Sequence, residues 1–294
     1  MFKGSIVALV TPFTEKGIDE QKIYELVKFQ IENGTNGIVP CGTTGESPTL
    51  TNAEHNRVIE VTVEAVNKRV PVIAGTGSNS TAEAISLTQH AEHVGADAAL
   101  VVTPYYNKPT QKGLYLHFKA VAESVKIPII LYNIEGRTAR NIETATVAKL
   151  ARDCKNIIGV KEASGSLDQV KDVREACGND FLILSGDDAL TLPMMDLGAK
   201  GVISVVANII PNDVVTMIEL YKTGKKDDAI ALNKKMMPLI AAMFVETNPI
   251  PVKKAVELLG LCSGRVRLPL CDMEEQNLEK VKNALINYGL MAAV

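Results

Sequence analysis

Tryptophan is absent from the sequence, and aromatic residues of all kinds are few. Phenylalanine and tyrosine together make up 4% of the 294 residues, the formal net charge is -3, and the pI is about 5.9. Proteins that bind nucleic acid stack bases on aromatic side chains and attract phosphates with a basic face. We therefore expect no nucleic-acid partner.

Cysteine and histidine are too scattered to form a recognisable metal site or disulfide framework. The five cysteines include no C-x-x-C pair, and the four histidines form no H-E-x-x-H motif. Structural zinc sites and disulfide-rich domains depend on such closely spaced residues. The sequence therefore predicts neither, and we expect the histidines to be packing or surface residues.

Long apolar runs are also missing, including at the N-terminus. The first residues, MFKGSIVALVTPF, lack the extended apolar region and the small-residue cleavage site of a secretory signal. No apolar stretch approaches the roughly 20 residues that cross a bilayer as a helix. Hydrophobic residues make up 46% and charged residues 22% of the chain, which is ordinary for a soluble globular protein. We expect a cytoplasmic protein with no membrane partner.

What the sequence does contain is a repeated alternation of short apolar runs and amphipathic segments. The runs are bounded by turn residues and rich in β-branched side chains, as buried strands are. The segments between them show helical periodicity, and two begin with a capping box, Thr51 with Glu54 and Ser80 with Glu83. The eight runs are SIVALV from Ser5, GIVPC from Gly37, VPVIAG from Val70, AALVVT from Ala98, IPIILYN from Ile127, NIIGVK from Asn156, FLILSG from Phe181 and GVISVV from Gly201.

Eight buried strands that alternate with helices predict an α/β protein with a parallel sheet covered by helices. Closure of that sheet into a (β/α)8 TIM barrel accounts best for the number of strands. A doubly wound open sheet, which usually has fewer strands, is the alternative. We predict the catalytic barrel at residues 1–224 and a C-terminal helical appendage, not a second catalytic domain, at residues 225–294.

A lysine stands at the end of the sixth predicted strand, where IIGV runs directly into Lys161. In barrels of this kind the chemistry lies at the carboxyl ends of the strands. Lys161 is the only lysine among those ends, and a desolvated lysine amine is a nucleophile that condenses with a carbonyl to form an imine. The alternative is a lysine that extends from the barrel rim or pairs with Glu162.

Tyrosines near this lysine favour the catalytic interpretation. Tyr132 ends the fifth predicted strand, adjacent to the strand of Lys161, where its phenol could move protons to and from an imine. Tyr105 and Tyr106 follow the fourth strand. Because neighbours in an extended segment point to opposite sides, we expect these two tyrosines to serve different places.

Two further strand-end motifs are suited to carboxylate groups. The turn GTTGES, from Gly42 to Ser47, offers hydroxyls and backbone N–H groups to an anion. Arg137 offers a planar guanidinium to a second carboxylate. Asp187 and Asp188 follow the seventh strand, where barrel enzymes often bind phosphate, so the phosphorylated substrate of a phosphosugar isomerase is disfavoured.

Five motifs, GTTGES, PYYNKPTQ, YNIEGRT, GVKEAS and SGDD, lie in this order at strand ends. Together with VTPF and ETNPIPVK they resemble the dihydrodipicolinate synthase family over essentially the whole chain. This resemblance implies a lyase that condenses pyruvate with L-aspartate 4-semialdehyde on the way to diaminopimelate and lysine. It also implies no metal or organic cofactor, and a homotetramer built from tight dimers.

The resemblance assigns the catalytic roles by position. Lys161 would form the imine, or Schiff base, with pyruvate. Tyr132, Thr43 and Tyr106 would form a proton relay, with Tyr106 reaching in from a neighbouring subunit.

Four more positions would bind the substrates in this family. Thr44, with nearby backbone N–H groups, would hold the pyruvate carboxylate, and Arg137 would hold the carboxylate of the semialdehyde. The backbones of Gly186 and Ile203 would line the pocket. The family usually has proline where this sequence has Glu135, so we expect Glu135 either to pair with Arg137 or to face solvent.

Some family members carry an inhibitory L-lysine site at a dimer interface, and matching positions occur here. Glu83 would pair with an ammonium group of the lysine effector instead of serving only as a helix cap. Asn52 departs from the histidine that is common in lysine-sensitive members. The residues of this candidate site are Ser47, Pro48, Asn52, His55, Asn79, Glu83 and Tyr105.

Two other functions stay open from the sequence alone. N-acetylneuraminate lyases and 2-keto-3-deoxy-sugar aldolases use a similar lysine and tyrosine, although the second threonine of GTTGE and the arginine of GRT favour the synthase. The second alternative is a barrel that has lost catalysis and serves as a binding protein or regulator. The complete set of Lys161, Tyr132, Thr43 and Tyr106 argues against that alternative.

Overall fold

A computed structural model describes residues 2–292 of the chain. Ten strands lie within these residues, and two of them are only two residues long. The strands are β1 (Gly4–Ala8), β2 (Phe13–Thr14), β3 (Gly17–Ile18), β4 (Gly37–Val39), β5 (Ile73–Gly75), β6 (Ala98–Val102), β7 (Ile129–Asn133), β8 (Ile157–Glu162), β9 (Leu182–Ser185) and β10 (Gly201–Ser204).

The helices alternate with the longer strands and continue beyond the last of them. The α-helices of the described residues are α1 (Glu20–Glu32), α2 (Asn52–Val66), α3 (Thr81–His93), α4 (Gln111–Glu123), α5 (Glu135–Thr138), α6 (Thr144–Asp153), α7 (Leu167–Cys177), α8 (Thr191–Asp196), α9 (Pro211–Lys222), α10 (Lys226–Ala242), α11 (Ile250–Leu258) and α12 (Glu275–Tyr288).

Eight of the strands form a parallel sheet that curls into a barrel. Their order is β4-β1-β10-β9-β8-β7-β6-β5. The two end strands meet through a bridge between Ile38 and Val72 and a 2.9 Å hydrogen bond from the Gly75 amide to the Pro40 carbonyl. The eight predicted strands and the (β/α)8 barrel are confirmed, and the doubly wound alternative is wrong. The β2–β3 hairpin was not predicted, because it contains no apolar run.

Side chains on the inner faces of the strands fill the barrel. Apolar residues of opposite strands meet there, among them Ile6, Ile73, Leu100, Ile130 and Leu184. Residues on the outer faces pack instead against the surrounding helices. The strands are buried on both faces, which is why each one appears in the sequence as a continuous apolar run.

Three helices, α10 to α12, form the C-terminal helical region that the sequence predicts. Their apolar side chains, including Met236, Leu239 and Leu285, share one core with barrel residues such as Val7 and with helix α1. Because the core is continuous, the division into residues 1–224 and 225–294 stays a prediction. Between α11 and α12, Arg267 makes a two-pronged ion pair of 2.6 and 2.8 Å with Glu54 at the start of α2.

The two predicted capping boxes differ in outcome. Thr51 and Glu54 form the complete reciprocal box at the start of α2, and the Arg267 guanidinium holds the pKa of Glu54 at about 2. Ser80 accepts the Glu83 amide at 3.4 Å, but the Glu83 carboxylate accepts the Ser78 hydroxyl instead of the backbone amide of Ser80. The second box is therefore only half formed, and the prediction was wrong for its Glu83 half.

Two of the histidines are packing residues. His55 and His117 are buried, and burial lowers the pKa of each to about 4. Among residues 2–292, no cluster of three or more histidine, cysteine, aspartate or glutamate side chains could hold a metal ion. In the same part of the chain, no helix has both the length and the apolar character needed to cross a membrane.

Candidate active site

Lys161 lies near the carboxyl end of β8, with its side chain inside the barrel. The residue is 6% exposed, and strand register places it beside Tyr132 of β7 and Leu184 of β9. Its Nζ atom is 4.1 Å from the centroid of the Tyr132 ring. Lys161 is therefore a buried amine packed on an aromatic face, not a lysine that extends from the rim.

The carboxylate of Glu162 is held on the opposite face of β8. Neighbouring residues of a strand point to opposite sides, so Glu162 faces outward where Lys161 faces inward. Its oxygens accept hydrogen bonds from the Asn133 amide at 3.1 Å, the Gln169 amide at 3.0 Å and the Ser164 backbone at 2.8 Å. Lys161 consequently takes no part in the ion pairs found among residues 2–292.

Gly186, just after β9, leaves the space that the Lys161 side chain occupies. A Cβ atom at this position would lie 2.6 Å from the Cβ of Ala163 and 3.0 Å from the Cε of Lys161. The Gly186 amide donates a 2.8 Å hydrogen bond to the Glu162 carbonyl, which fixes the backbone at this close approach. The absence of a side chain at Gly186 thus shapes the cavity around the amine.

A small chamber of about 50 Å³ surrounds the amine at the carboxyl ends of the strands. Six of the predicted substrate-binding or catalytic residues line this chamber. They are Thr43, Thr44, Tyr132, Arg137, Lys161 and Gly186. Ile203 lies in the barrel interior with Tyr132 and Leu184, while Val205, two residues further on, lines the chamber.

Asn248 links two of the predicted binding residues, and the sequence reasoning did not identify it. Its side-chain amide donates to the Thr44 hydroxyl at 3.0 Å, and its backbone carbonyl accepts from the Arg137 guanidinium at 3.0 Å. Asn248 is 5% exposed and lines the chamber, and its Oδ1 atom has no partner among the described residues. The segment ETNPIPVK, which lies after α10, therefore forms part of the site wall.

Glu135 and Arg137 are close in sequence but do not form an ion pair with each other within the described residues. Both residues are exposed on α5, and Arg137 bonds to the Asn248 carbonyl instead. No ion pair joins Glu135 to Arg137 within residues 2–292. Of the two conformations expected for Glu135, the structure therefore shows the one that faces solvent.

The two adjacent tyrosines after β6 have side chains in different places, and the separate roles predicted for them stay a prediction. Tyr105 lines a cleft of about 240 Å³ that also contains Thr43, Tyr132 and Arg137. Tyr106 is 88% exposed and contacts neither the cleft nor the chamber. Its backbone has a φ of 72°, in the left-handed region that is uncommon for residues other than glycine.

The residues of the candidate lysine site lie along and behind this cleft. Ser47, Pro48 and Tyr105 line the cleft itself. His55 is buried. The burial of Tyr105 itself raises the pKa of its phenol, and the negative charge of Glu83 makes a smaller contribution in the same direction. The backbone carbonyl of Asn79 accepts from the Asn107 side chain at 2.8 Å, and Asn52 is exposed at the first position of α2.

Asp188 has a structural contact in the loop after β9. It is buried, and its carboxylate accepts the backbone amides of Val205 and Val206 at 2.9 and 3.1 Å. Burial raises the pKa of Asp188 above its usual range. The carboxylate therefore fixes the segment after β10 that carries Val205 into the chamber.

A second buried lysine also escaped the sequence reasoning. Lys253 of α11 is fully buried and pairs with Glu46, in the turn that carries Thr43 and Thr44, at 2.6 Å. Glu46 and Lys253 lie in the motifs GTTGES and NPIPVK. The two motifs could have marked Glu46 and Lys253 as candidate site residues, but nothing local in the sequence indicates that the two side chains meet.

Comparison with known proteins gives the same family over the full chain. The family model described as Dihydrodipicolinate synthetase family matches residues 1–287. The 4-hydroxy-tetrahydrodipicolinate synthase of Syntrophus aciditrophicus is 59% identical over 291 residues, which cover 99% of this chain and 100% of that protein.

Solved structures of dihydrodipicolinate synthases also match this chain over nearly its full length. The crystal structure of dihydrodipicolinate synthase from Aquifex aeolicus has a TM-score of 0.97 and 51% identity, covering 98% of this chain and 99% of that one. The crystal structure of the synthase from Cyanidioschyzon merolae, with lysine bound, has a TM-score of 0.96 and 43% identity and covers 99% of each chain.

A side chain at Gly186 should reduce the reactivity of the Lys161 amine without unfolding the barrel. We expect Gly186→Ala to slow the reductive coupling of Lys161 to a small keto acid by about 100-fold, because displacement of a reacting group by about 1 Å has effects of that size. The measurement is the rate of borohydride-dependent mass increase, mapped to peptides.

The control for this variant is Gly136→Ala, because a Cβ atom at Gly136 would contact nothing within 4 Å. That variant should couple at the wild-type rate. Equal rates for wild type and Gly186→Ala would show that the close approach at Gly186 does not control the amine.

Proposed function

The chain belongs to the dihydrodipicolinate synthetase family, and we propose that Lys161 carries out its condensation through an imine with pyruvate. The reaction joins pyruvate to L-aspartate 4-semialdehyde and gives 4-hydroxy-tetrahydrodipicolinate, a precursor of diaminopimelate and lysine. One observation carries the assignment to Lys161: its amine is buried against the Tyr132 ring, in a chamber that also contains Thr44.

The chemistry at Lys161 balances without any redox partner. The neutral amine attacks the keto carbon of pyruvate, and loss of one water gives the imine. Removal of a methyl proton then gives an enamine, whose carbon attacks the aldehyde of the semialdehyde and forms the new C–C bond. The aldehyde oxygen becomes the hydroxyl group. Attack of the amino group of the semialdehyde on the imine carbon closes the ring and frees the lysine.

Each of these steps moves a proton, and Tyr132 is placed to carry it. The Tyr132 ring lies against the Lys161 amine. The backbone carbonyl of Tyr132 accepts hydrogen bonds of 3.0 Å from the Thr103 backbone amide and 3.1 Å from the Thr103 hydroxyl. Thr43 lines both the chamber and the cleft, so its hydroxyl can connect Tyr132 to a group outside the chamber. In our proposal that outer group is Tyr106 of a second subunit.

The two carboxylates of the substrates are assigned to Thr44 and Arg137. The Thr44 hydroxyl accepts a hydrogen bond from Asn248, so its own proton is free to be donated to the pyruvate carboxylate. Arg137 uses one N–H on the Asn248 carbonyl and has further N–H groups for the carboxylate of the semialdehyde. Arg137 is exposed where it lines the chamber, which suits the larger second substrate, because that substrate binds after the imine has formed.

The sister aldolases and the non-catalytic barrel are disfavoured by the comparisons and by the site. The full-length relatives that match at more than half identity have the synthase name. Lys161, Tyr132 and Thr43 are all present at the chamber, so no catalytic position within it has been lost. The cytoplasmic location expected from the sequence stays a prediction.

Trapping with borohydride tests the role of Lys161. Wild-type protein incubated with pyruvate and borohydride should gain one reduced pyruvate unit on the Lys161 peptide and none on the Lys253 peptide. Lys161→Ala should gain nothing, and so should Lys161→Arg, because a guanidinium stays protonated. Tyr132→Phe should still bind pyruvate but turn over at least about 100-fold more slowly, the range for loss of a general acid–base group.

Wild-type protein incubated with pyruvate and no borohydride identifies the second substrate. Product should form with aspartate 4-semialdehyde and not with N-acetylmannosamine. Labelling of another lysine, or equal labelling of Lys161→Ala, would contradict the assignment.

We also propose that Tyr106 completes the site of a neighbouring subunit, in a homotetramer built from tight dimers. The support is the 88% exposure of its side chain, which leaves the phenol accessible to a second subunit, together with the place of Tyr106 in the motif PYYNKPTQ. The adjacent Asn107 side chain bonds to the Asn79 carbonyl, so the loop that presents Tyr106 is anchored.

Subunit mixing tests this arrangement. Tyr106→Phe and Lys161→Ala should each be nearly inactive alone. Mixed, dissociated and reassembled, they should recover part of the wild-type activity, because some sites then receive both intact residues. Hetero-oligomers verified by mass that recover no activity would place the function of Tyr106 within its own chain or remove it from catalysis.

A regulatory role for L-lysine is proposed on the residues behind the cleft. The synthase from Cyanidioschyzon merolae has been solved with lysine bound. In this chain, the candidate site from the sequence resemblance includes an acid, Glu83, whose negative charge acts on Tyr105. The Glu83 carboxylate accepts the Ser78 hydroxyl and is not used in the capping box, so it remains available to an ammonium group. Tyr105 lines the cleft shared with Thr43, which gives a bound effector a direct route to the site.

Calorimetric titration of L-lysine with a parallel activity assay tests this role. We expect Glu83→Ala to weaken binding by about ten-fold or more, the loss expected for a hydrogen bond to a charged group. Ser80→Ala is the matched control, because it removes the helix cap and keeps the carboxylate. No binding to wild type at millimolar lysine would reject the site, and equal losses in both variants would return Glu83 to a capping role.

A further inference from the structure

The ion pair between Glu46 and Lys253 is the most deeply buried in the described part of the chain. Both side chains have no exposed surface, and Lys253 Nζ lies 2.6 Å from Glu46 Oε1. The same Nζ donates to the Thr11 carbonyl at 2.8 Å and lies 4.2 Å from the centre of the Phe13 ring. The other carboxylate oxygen accepts the backbone amide of Arg267 at 3.1 Å. Every charged atom of the pair thus has a defined partner.

The pair joins the turn after β4 to the C-terminal helical region. Glu46 lies two residues after Thr44 and has a left-handed backbone with a φ of 55°. Its amide closes the turn on the Thr43 carbonyl at 3.1 Å. Lys253 belongs to α11, which begins two residues after Asn248. A strained turn that carries two site residues is therefore held by a charge from a distant helix.

Stability alone does not account for such a pair. Burying two charges costs their hydration, and apolar residues of similar size are often equally stabilising or more so. Burial also lowers the pKa of Lys253, while the nearby Glu46 carboxylate opposes that shift. A buried ion pair does constrain geometry, because it holds the two backbone segments that carry it in one relative position.

We propose that Glu46 and Lys253 are positioning residues that hold Thr43 and Thr44 in the geometry needed for pyruvate binding and proton transfer. The inference rests on the proposed roles of those two threonines. It makes the C-terminal helical region part of the machinery of the barrel, since α11 supplies the cation that holds the turn. The pair itself touches neither substrate nor the reacting amine.

Neutral replacement in the full chain separates positioning from folding. The double variant Glu46→Gln/Lys253→Met removes both charges and should melt close to the wild type. Its kcat/KM for pyruvate should fall by about 100-fold, as expected for misplacement of a catalytic group by about 1 Å. The control is the exposed pair of α1, replaced as Lys22→Met/Glu25→Gln, which should retain wild-type kinetics.

A mutant cycle with Thr43→Val distinguishes positioning from a general structural effect. If the pair acts through the turn, the double variant should cause little further loss of kcat once Thr43→Val is present. Losses that multiply independently would overturn the proposal, as would a folded double variant with wild-type kinetics.

Two further measurements decide the cases in which the double variant does not fold or the proposed function itself fails. If the double variant does not fold, Glu46→Asp replaces it, because it keeps the charge and withdraws the carboxylate by one methylene. Reduced kcat/KM in folded Glu46→Asp supports the positioning role, and unchanged kinetics reject it. Failure of borohydride trapping in the wild type would instead reject the proposed function, whatever the pair variants show.

Discussion

The separation of the Lys161 amine from every carboxylate of residues 2–292 is the constraint around which the site is organised. An amine held in an ion pair has its protons and its charge committed, and it does not attack a carbonyl. The period of the strand provides the separation, because it puts Glu162 on the outer face, where three donors satisfy it. The missing side chain of Gly186 and the ring of Tyr132 then enclose the amine without adding a charge.

The two buried lysines show how surroundings decide what an ammonium-bearing side chain does. Both lie over an aromatic ring at similar distances, 4.1 Å for Lys161 on Tyr132 and 4.2 Å for Lys253 on Phe13. Lys253 has a carboxylate and a carbonyl within hydrogen-bond distance, whereas Lys161 has neither among the residues that the structure describes. Burial on an aromatic face is therefore not what distinguishes a nucleophile from a structural cation. The distinction lies in the presence of a negative partner.

The sequence was sufficient where the signal was local. Eight apolar runs predicted eight strands, and a lysine directly after one of them predicted the position of Lys161 inside the barrel. The sequence was insufficient where two distant segments meet. Asn248 contacts Thr44 across 204 residues, and Lys253 contacts Glu46 across 207. Periodicity carries no information on such pairs, which form only when the C-terminal helices dock. The half-formed box at Ser80 failed for a different reason, because Ser78 competes for the Glu83 carboxylate.

Between β4 and β5 the barrel is joined by one bridge and a few backbone hydrogen bonds, whereas the ladder between β7 and β8 has five residue pairs. The joint between β4 and β5, like that between β9 and β10, holds together through a single residue pair of the described part of the sheet. The cleft that holds Tyr105 and Ser47 also contains Gly42 and Gly75, one from each side of that joint. Deformation of a ring concentrates where the fewest bonds must break. A molecule bound in this cleft would therefore press on a sparsely bonded part of the wall, and the turn bearing Thr43 begins directly at its edge.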